Sequence, residues 1–237
     1  MELKNIVKSF GDKKVLDGIS VEIPEGKVTA VLGESGCGKS TLLNIIAGKI
    51  KDYKGEVVFG ADHTMGISYI FQEDTLIPWK TIYENLAFVL KGKVSQEELD
   101  SRIKKYLAVV ELTGSENEYP NMLSGGMKRR AGIARAFSFP SPYLFMDEPF
   151  EFLDIKIKNE IMEDFVKLQQ QEHKSVIFIT HDIESAVELG EKIIVLTPKP
   201  TKIKKIFENP SALKKDSSLE ESEKKKNLKR EIEKLFL

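Results

Sequence analysis

The sequence has one cysteine, Cys37, among its 237 residues. That excludes an internal disulfide and any zinc module built on clustered thiols, and it fits a reducing compartment. Charge of one sign is lacking too. With 36 basic against 37 acidic residues the net charge is −1, so no global field draws the chain to nucleic acid or to anionic lipid, and no nucleic-acid partner is expected. Long apolar runs are absent: SVIFIT (Ser175–Thr180) and IIVL (Ile193–Leu196) fall far short of the ~18 residues that a membrane-spanning helix needs. The opening MELKNIVK has no signal-peptide core, so a location on the cytosolic side is expected. Neither heptads nor internal repeats occur, which argues against a long coiled coil and against a duplicated chain. What is present, 41% hydrophobic and 31% charged residues, suffices for a substantial core.

The segments Leu3 to Ile23 and Gly55 to Phe71 alternate apolar and polar positions and are broken by Gly11-Asp12, Pro24-Glu25-Gly26 and Gly60-Ala61-Asp62, the pattern of short antiparallel strands. Val28 to Leu32 is instead continuously apolar, as a buried parallel strand requires, and it leads into a glycine loop and an apolar helical stretch, Thr41 to Ala47. From about Tyr83 to Phe137 the spacing turns helical, with Leu99, Ile103, Leu107 and Val110 on one face. The parallel pattern resumes at Tyr143–Met146, followed by a helix carrying Ile157, Ile161, Phe165 and Leu168 and by strands at Val176–Ile179 and Ile193–Leu196. From Lys199 the composition becomes Lys-rich. There, Ser217 with Glu220, or Ser218 with Glu221, would cap an amphipathic helix with Leu228, Ile232, Leu235 and Phe236 as its stripe.

The glycine loop reads GESGCGKST, Gly33 to Thr41. Gly33, Gly36 and Gly38 permit a backbone that turns its N–H groups inward, and the following helix aims its positive end at the same place, so the loop is suited to phosphate. Lys39 supplies a point charge for β- and γ-phosphates, the Ser40 hydroxyl is a hard ligand for Mg²⁺, and Thr41 is expected at the α-phosphate. Cys37, at a helix N-terminus, is not read as a nucleophile, because no His or Asn arrangement accompanies it. The string YLFMDEP (Tyr143–Pro149) sets two carboxylates at the end of a buried strand, Asp147 toward the magnesium and Glu148 in a different direction, since side chains alternate. A third string, LSGGM (Leu123–Met127), opens a helix with a hydroxyl and free N–H groups.

Together, GESGCGKST, LSGGM and YLFMDEP resemble the ATP-binding cassette (ABC) family from about Leu3 to Leu196. The resemblance implies an α/β fold: a RecA-like P-loop core with a mainly parallel sheet, an antiparallel β subdomain and an inserted α-helical subdomain. It places a single ATPase domain at 1–205 and a Lys-rich tail at 206–237. Within the domain, the antiparallel part covers about 1–26 and 55–72, the helical insert about 83–137, and the P-loop core 27–54 and 138–205. It further implies ATP and Mg²⁺ as ligands, with Gly33, Glu34, Ser35, Gly36, Cys37, Gly38, Lys39, Ser40 and Thr41 around the nucleotide. Phe10 would stack on adenine, and Ser40, Gln72 and Asp147 would lie at the metal. Glu148 resembles the family's catalytic glutamate, Gln72 its Q-loop glutamine and His181 its switch histidine. Ser124, Gly125 and Gly126, with Asp154, would complete the site of a second copy in an ATP-sandwich dimer.

Two departures from the family pattern stand out. Met127 occupies the place of the usual glutamine, and Phe152 lies in a loop where small residues are common. The string LIPWKTIYEN (Leu76–Asn85) is similar to the nitrate/sulfonate/taurine branch of importers, and Trp79 within it is expected to anchor an integral-membrane permease. That branch implies a peripheral position on the cytoplasmic face of the membrane and, indirectly, an extracytoplasmic solute-binding protein. An ABC exporter ATPase and a soluble, non-transport ABC ATPase are the alternatives.

Overall fold

The computed structural model describes residues 1–60, 66–73, 75–214 and 219–236. Ala61, Asp62, Ser217 and Ser218, which the sequence assigns to a turn and to a helix cap, lie outside them. Two compact units divide the chain: Met1–Asp62, Phe145–Pro149 and Ser175–Leu237 form the first, and His63–Leu144 with Phe150–Lys174 the second.

In the first unit, strands β1 (Glu2–Phe10) and β2 (Lys13–Glu22) pair antiparallel, and β4 (Lys54–Val58) pairs with β1 on its other side. The second sheet is centred on β3 (Val28–Leu32), all five of whose residues are buried. It runs parallel to β7 (Ser175–Thr180), with Val28 opposite Val176 and Leu32 opposite Thr180, and parallel to β8 (Lys192–Leu196) on its other edge. A strand buried on both faces needs no alternation, which is why Val28 to Leu32 reads as an unbroken apolar run. Beyond β7 lies β6 (Tyr143–Asp147), and beyond β8 an antiparallel strand, β9 (Ile203–Glu208). Helix α1 (Lys39–Ile46) follows β3, and α6 (Ile183–Leu189) follows β7.

The second unit is helical: α2 (Ile82–Leu90), α3 (Gln96–Val109), α4 (Gly125–Ser138) and α5 (Ile155–Glu172). Its largely aliphatic core includes a cluster of aromatic rings. Phe165 of α5 meets Phe137 of α4 edge-on at 5.6 Å and Phe150 at 6.3 Å.

Three elements bear on the segment limits expected from the sequence. The short strand β5 (Ser68–Ile70) belongs to the larger sheet, next to β6, and not to the antiparallel one: alternation gives a strand but not its partner. Helix α5 groups with the second compact unit, where its Phe165 meets Phe137 of α4. The boundary drawn at 205/206 cuts β9 in half. After β9, helix α7 (Leu219–Glu233) packs on α6 with Ile232 buried and Leu228, Leu235 and Phe236 partly covered. Lys225 is buried beside them, and its Nζ donates to Glu188 Oε2 at 2.6 Å and to the Lys214 carbonyl at 2.9 Å. Among the described residues, no helix is long and apolar enough to cross a membrane.

Candidate functional site

Where β3 ends, Gly33 N–H reaches the carbonyl of Thr180 on β7, and Cys37 N–H closes a turn onto Glu34 O at 3.2 Å. Gly36 (φ 75°) and Gly38 (φ 117°) take left-handed backbone that a side chain would disfavour, and Gly38 stands at the N-cap of α1. Without a capping side chain there, the first-turn N–H groups of α1 are directed at the loop's interior. Lys39 is 5% exposed and curls over the loop, donating to Gly33 O at 2.8 Å and Glu34 O at 3.1 Å. Glu34 and Ser35, exposed, and Thr41, half-buried, complete the loop. Cys37 is buried, and burial pushes its thiol up, which suits a space-filling role and not a reactive thiolate.

The strand-end carboxylates meet this loop. Ser40 Oγ donates to Asp147 Oδ1 at 3.4 Å. Burial, and then the neighbouring Glu148 charge, push Asp147 above the ordinary carboxylate range. Glu148 has φ 44°, a left-handed turn fixed by its N–H donating to Ile179 O at 3.1 Å. The turn swings its carboxylate away from that of Asp147. Its Oε1 lies 3.5 Å from Lys39 Nζ, and its Oε2 lies 3.3 Å from His181 Nδ1 and accepts from the His181 N–H. Loop, carboxylates and His181 thus form one cluster within the first unit. His181 is held there because Asp182, the next residue, caps α6 through Ser185 N–H. Phe10, on the same unit, is 51% exposed, with the Lys8 ammonium 4.6 Å from its ring centre.

The other expected residues lie in the second unit. Ser124 Oγ accepts from Met127 N–H and Asp154 Oδ1 from Ile157 N–H, so each caps a helix, α4 and α5 respectively. A Cβ on Gly126 would approach Ile157 Cγ2 to 3.0 Å, so a larger residue there would push on that side chain. Gln72 donates from Nε2 to Glu151 Oε2 at 2.6 Å. Arg129, buried on α4, donates to the carbonyls of Phe71 and Gln72. A cleft of about 420 Å³ is lined by Gln72, Gly125, Arg129, Glu151 and Phe152, among others. Trp79 is 76% exposed on a loop organised by the buried Asn85, whose amide bonds Ile77, Lys80 and Thr81. The sequence reading passed over Glu151, Arg129 and the role of Asn85. Partners 58 and 79 positions away leave no local signal of such contacts.

A model of a family described as "ABC transporter" matches residues 16–151. The chain belongs to the ABC transporter family. The aliphatic sulfonates import ATP-binding protein SsuB of Bacillus cereus is 38% identical over 210 residues, covering 87% of this chain and 83% of the relative. An uncharacterised ABC transporter ATP-binding protein of Methanocaldococcus jannaschii is 38% identical over 215 residues, 87% of this chain and 80% of that one. Among solved structures, the dimeric MJ0796, a bacterial ABC transporter cassette, aligns with a TM-score of 0.74 and 34% identity, over 87% of this chain and 97% of that one. A second MJ0796 structure, in a post-hydrolysis state with ADP and Pi, aligns at 0.73. The chain is accordingly an ABC ATPase, and its α/β fold is that of the cassettes it resembles.

Proposed function

We propose that this ABC ATPase dimerises around two ATP molecules and powers an integral-membrane permease that imports a small solute, of the sulfonate, nitrate or vitamin-precursor kind. It would act peripherally at the cytoplasmic face, with an extracytoplasmic solute-binding protein upstream. The observation that carries the catalytic half is the joint placement of Lys39, Glu148 and His181, with one glutamate carboxylate reaching both the phosphate-loop ammonium and the histidine ring. The import names of the relatives and the exposed Trp79 support the transport half.

Each residue then has a role. The loop N–H groups and Lys39 hold the phosphates, and Phe10 offers an open ring face to adenine. Glu148 takes a proton from the attacking water, and His181 orients the terminal phosphate from the far side of the same carboxylate. Ser124, Gly125 and Gly126, with Asp154, serve the site of the second copy. Among the described residues no group of three or more His, Cys, Asp or Glu is placed to hold a metal. A pair of hard oxygens, Ser40 Oγ and Asp147 Oδ1, does fit a cation that is otherwise bound by phosphate and water. Gln72 would add its amide oxygen, and Mg²⁺ bound there supplies charge neutralisation to the phosphates.

The test is Glu148→Gln. It should lower turnover by roughly 10²–10⁴-fold, as expected for loss of a general base, while ATP shifts the variant to a dimer on gel filtration. A variant that keeps wild-type turnover overturns the assignment of the base. For the permease, affinity purification from detergent-solubilised membranes under non-hydrolysing conditions should recover a multi-span protein; recovery of soluble partners alone would overturn the transport half.

A further inference from the structure

Lys8 is a buried cation of the first unit to which the hydrolytic roles above give no task. Only 5% exposed, it lies near the end of β1, where side chains two apart share a face, so it stands beside Phe10. Its ammonium sits over the Phe10 ring, 4.6 Å from the centroid. The same group donates to Asp52 Oδ2 at 2.9 Å and to the Asp52 carbonyl, on the stretch leading into β4. Burying an ammonium is costly unless it is bonded, and the two Asp52 oxygens offset that cost. The cation thereby covers one face of Phe10, while the residue as a whole remains 51% exposed. This end of β1 also adjoins the phosphate loop: Lys8 is opposite Leu16 of β2, and a Cβ on Gly38, the N-cap of α1, would come within 3.3 Å of Leu16 Cδ2.

A covered face changes what the open face can do. Aromatic faces carry negative charge, so two rings laid face to face repel through their π clouds. A cation behind one ring draws that density toward itself, and the other face then meets an electron-rich base with less repulsion. We propose that Lys8 is a positioning residue for the nucleotide base: its ammonium fixes the Phe10 ring from behind and conditions the open face for adenine. Its role rests on the reading of Phe10 as the adenine platform given above. Lys8 acts through the ring and on the base alone, whereas the phosphates remain the task of the loop N–H groups and Lys39. A lysine that merely tied β1 to the approach to β4 would not favour the base over the phosphates.

Two probes separate base from phosphate: ATP and inorganic tripolyphosphate, each titrated calorimetrically into the full chain with Mg²⁺ present. Phe10→Ala should weaken ATP by about 10-fold, the scale expected for losing one stacked base, and leave tripolyphosphate unchanged. Lys8→Met should weaken ATP by about 3–10-fold, again without affecting tripolyphosphate. Added to Phe10→Ala, it should cost nothing further, because the lysine acts through the ring. Lys8→Gln can still donate to the Asp52 carbonyl but carries no charge, and it should show the same selective loss as Lys8→Met. Wild-type ATP affinity in Lys8→Gln would reduce the lysine to a tether and overturn the proposal. Equal losses for ATP and tripolyphosphate in Lys8→Met would do the same, as would a further loss on combining it with Phe10→Ala. Selective loss in Phe10→Ala with none in Lys8→Met refutes the positioning role alone. A Phe10→Ala variant that binds ATP as the wild type does would instead remove the base from Phe10, and the role of Lys8 with it.

Discussion

Raising the pH should stabilise the protein through one buried ammonium. Lys174, just past α5, is 4% exposed and donates from Nζ to the carbonyls of Phe139 at 2.9 Å and Ser141 at 2.6 Å. Burial pushes it down from 10.5 to about 8, against the opposing pull of Glu172. At roughly 1.4 kcal/mol per pH unit, the gap between those values corresponds to about 3 kcal/mol. The sign follows from proton counting. Below pH 8 the lysine is charged in both states, and the burial cost is fully present. Between 8 and 10.5 the folded chain releases the proton while the unfolded chain keeps it, so stability rises with pH. Tyr106 and Cys37 act in the opposite sense, since burial pushes both upward and their unfolded forms lose protons first. Lys174→Met isolates the effect: its lost hydrogen bonds cost the same at every pH, whereas the titration disappears. Urea midpoints followed by circular dichroism should show the wild type gaining about 2 kcal/mol on the variant between pH 7 and 9.5. Curves that stay parallel over that range would refute the reasoning.

Gly38→Ala should weaken ATP binding and cost about 1–3 kcal/mol of stability, because φ is 117° and the new Cβ would lie 3.0 Å from Val15 Cγ1 and 3.3 Å from Thr201 Oγ1; unchanged nucleotide affinity in a fluorescence titration would contradict this. Phe152 has φ 61° and is 86% exposed, so Phe152→Gly should raise the melting temperature by relieving about 1 kcal/mol of backbone strain. A lower melting temperature would mean that the ring packs on something in the monomer. Lys225→Met removes the tie to Glu188 and to the Lys214 carbonyl. Since Glu188 keeps partial access to water, the expected cost is about 1–2 kcal/mol, confined to faster hydrogen exchange in α7, with β3 and α1 unaffected.

The parts of the site that were legible in the sequence are those where backbone chemistry leaves a local trace. An apolar run, three spaced glycines and a Lys-Ser pair announce a strand, a loop and a helix, and β3, the loop and α1 follow in that order. Helix α7 was legible by the spacing of Leu228, Ile232 and Leu235. Strand β9 was not, because Lys204 and Lys205, with Lys202 just before it, give the stretch the composition of a solvated tail; its burial pattern leaves only Phe207 fully covered, and lysine on an edge strand is a common guard against unwanted pairing. The Glu151 and Gln72 contact was illegible for a different reason: it joins two loops 79 positions apart, and neither side chain has a periodic neighbour to reveal it.

Thr201 comes after every motif by which the chain can be recognised, yet it is bonded into the phosphate loop. Its hydroxyl donates to the carbonyl of Cys37, its N–H to Val15 O at 2.8 Å, and its own carbonyl accepts from Asp17 N–H at 3.0 Å. The family match ends at residue 151, some fifty positions earlier. What identifies this chain and what holds its loop in shape are therefore different stretches of polypeptide. A fragment trimmed to the recognisable motifs would keep each signature string and lose the clasp that ties Thr201 to the loop at Cys37.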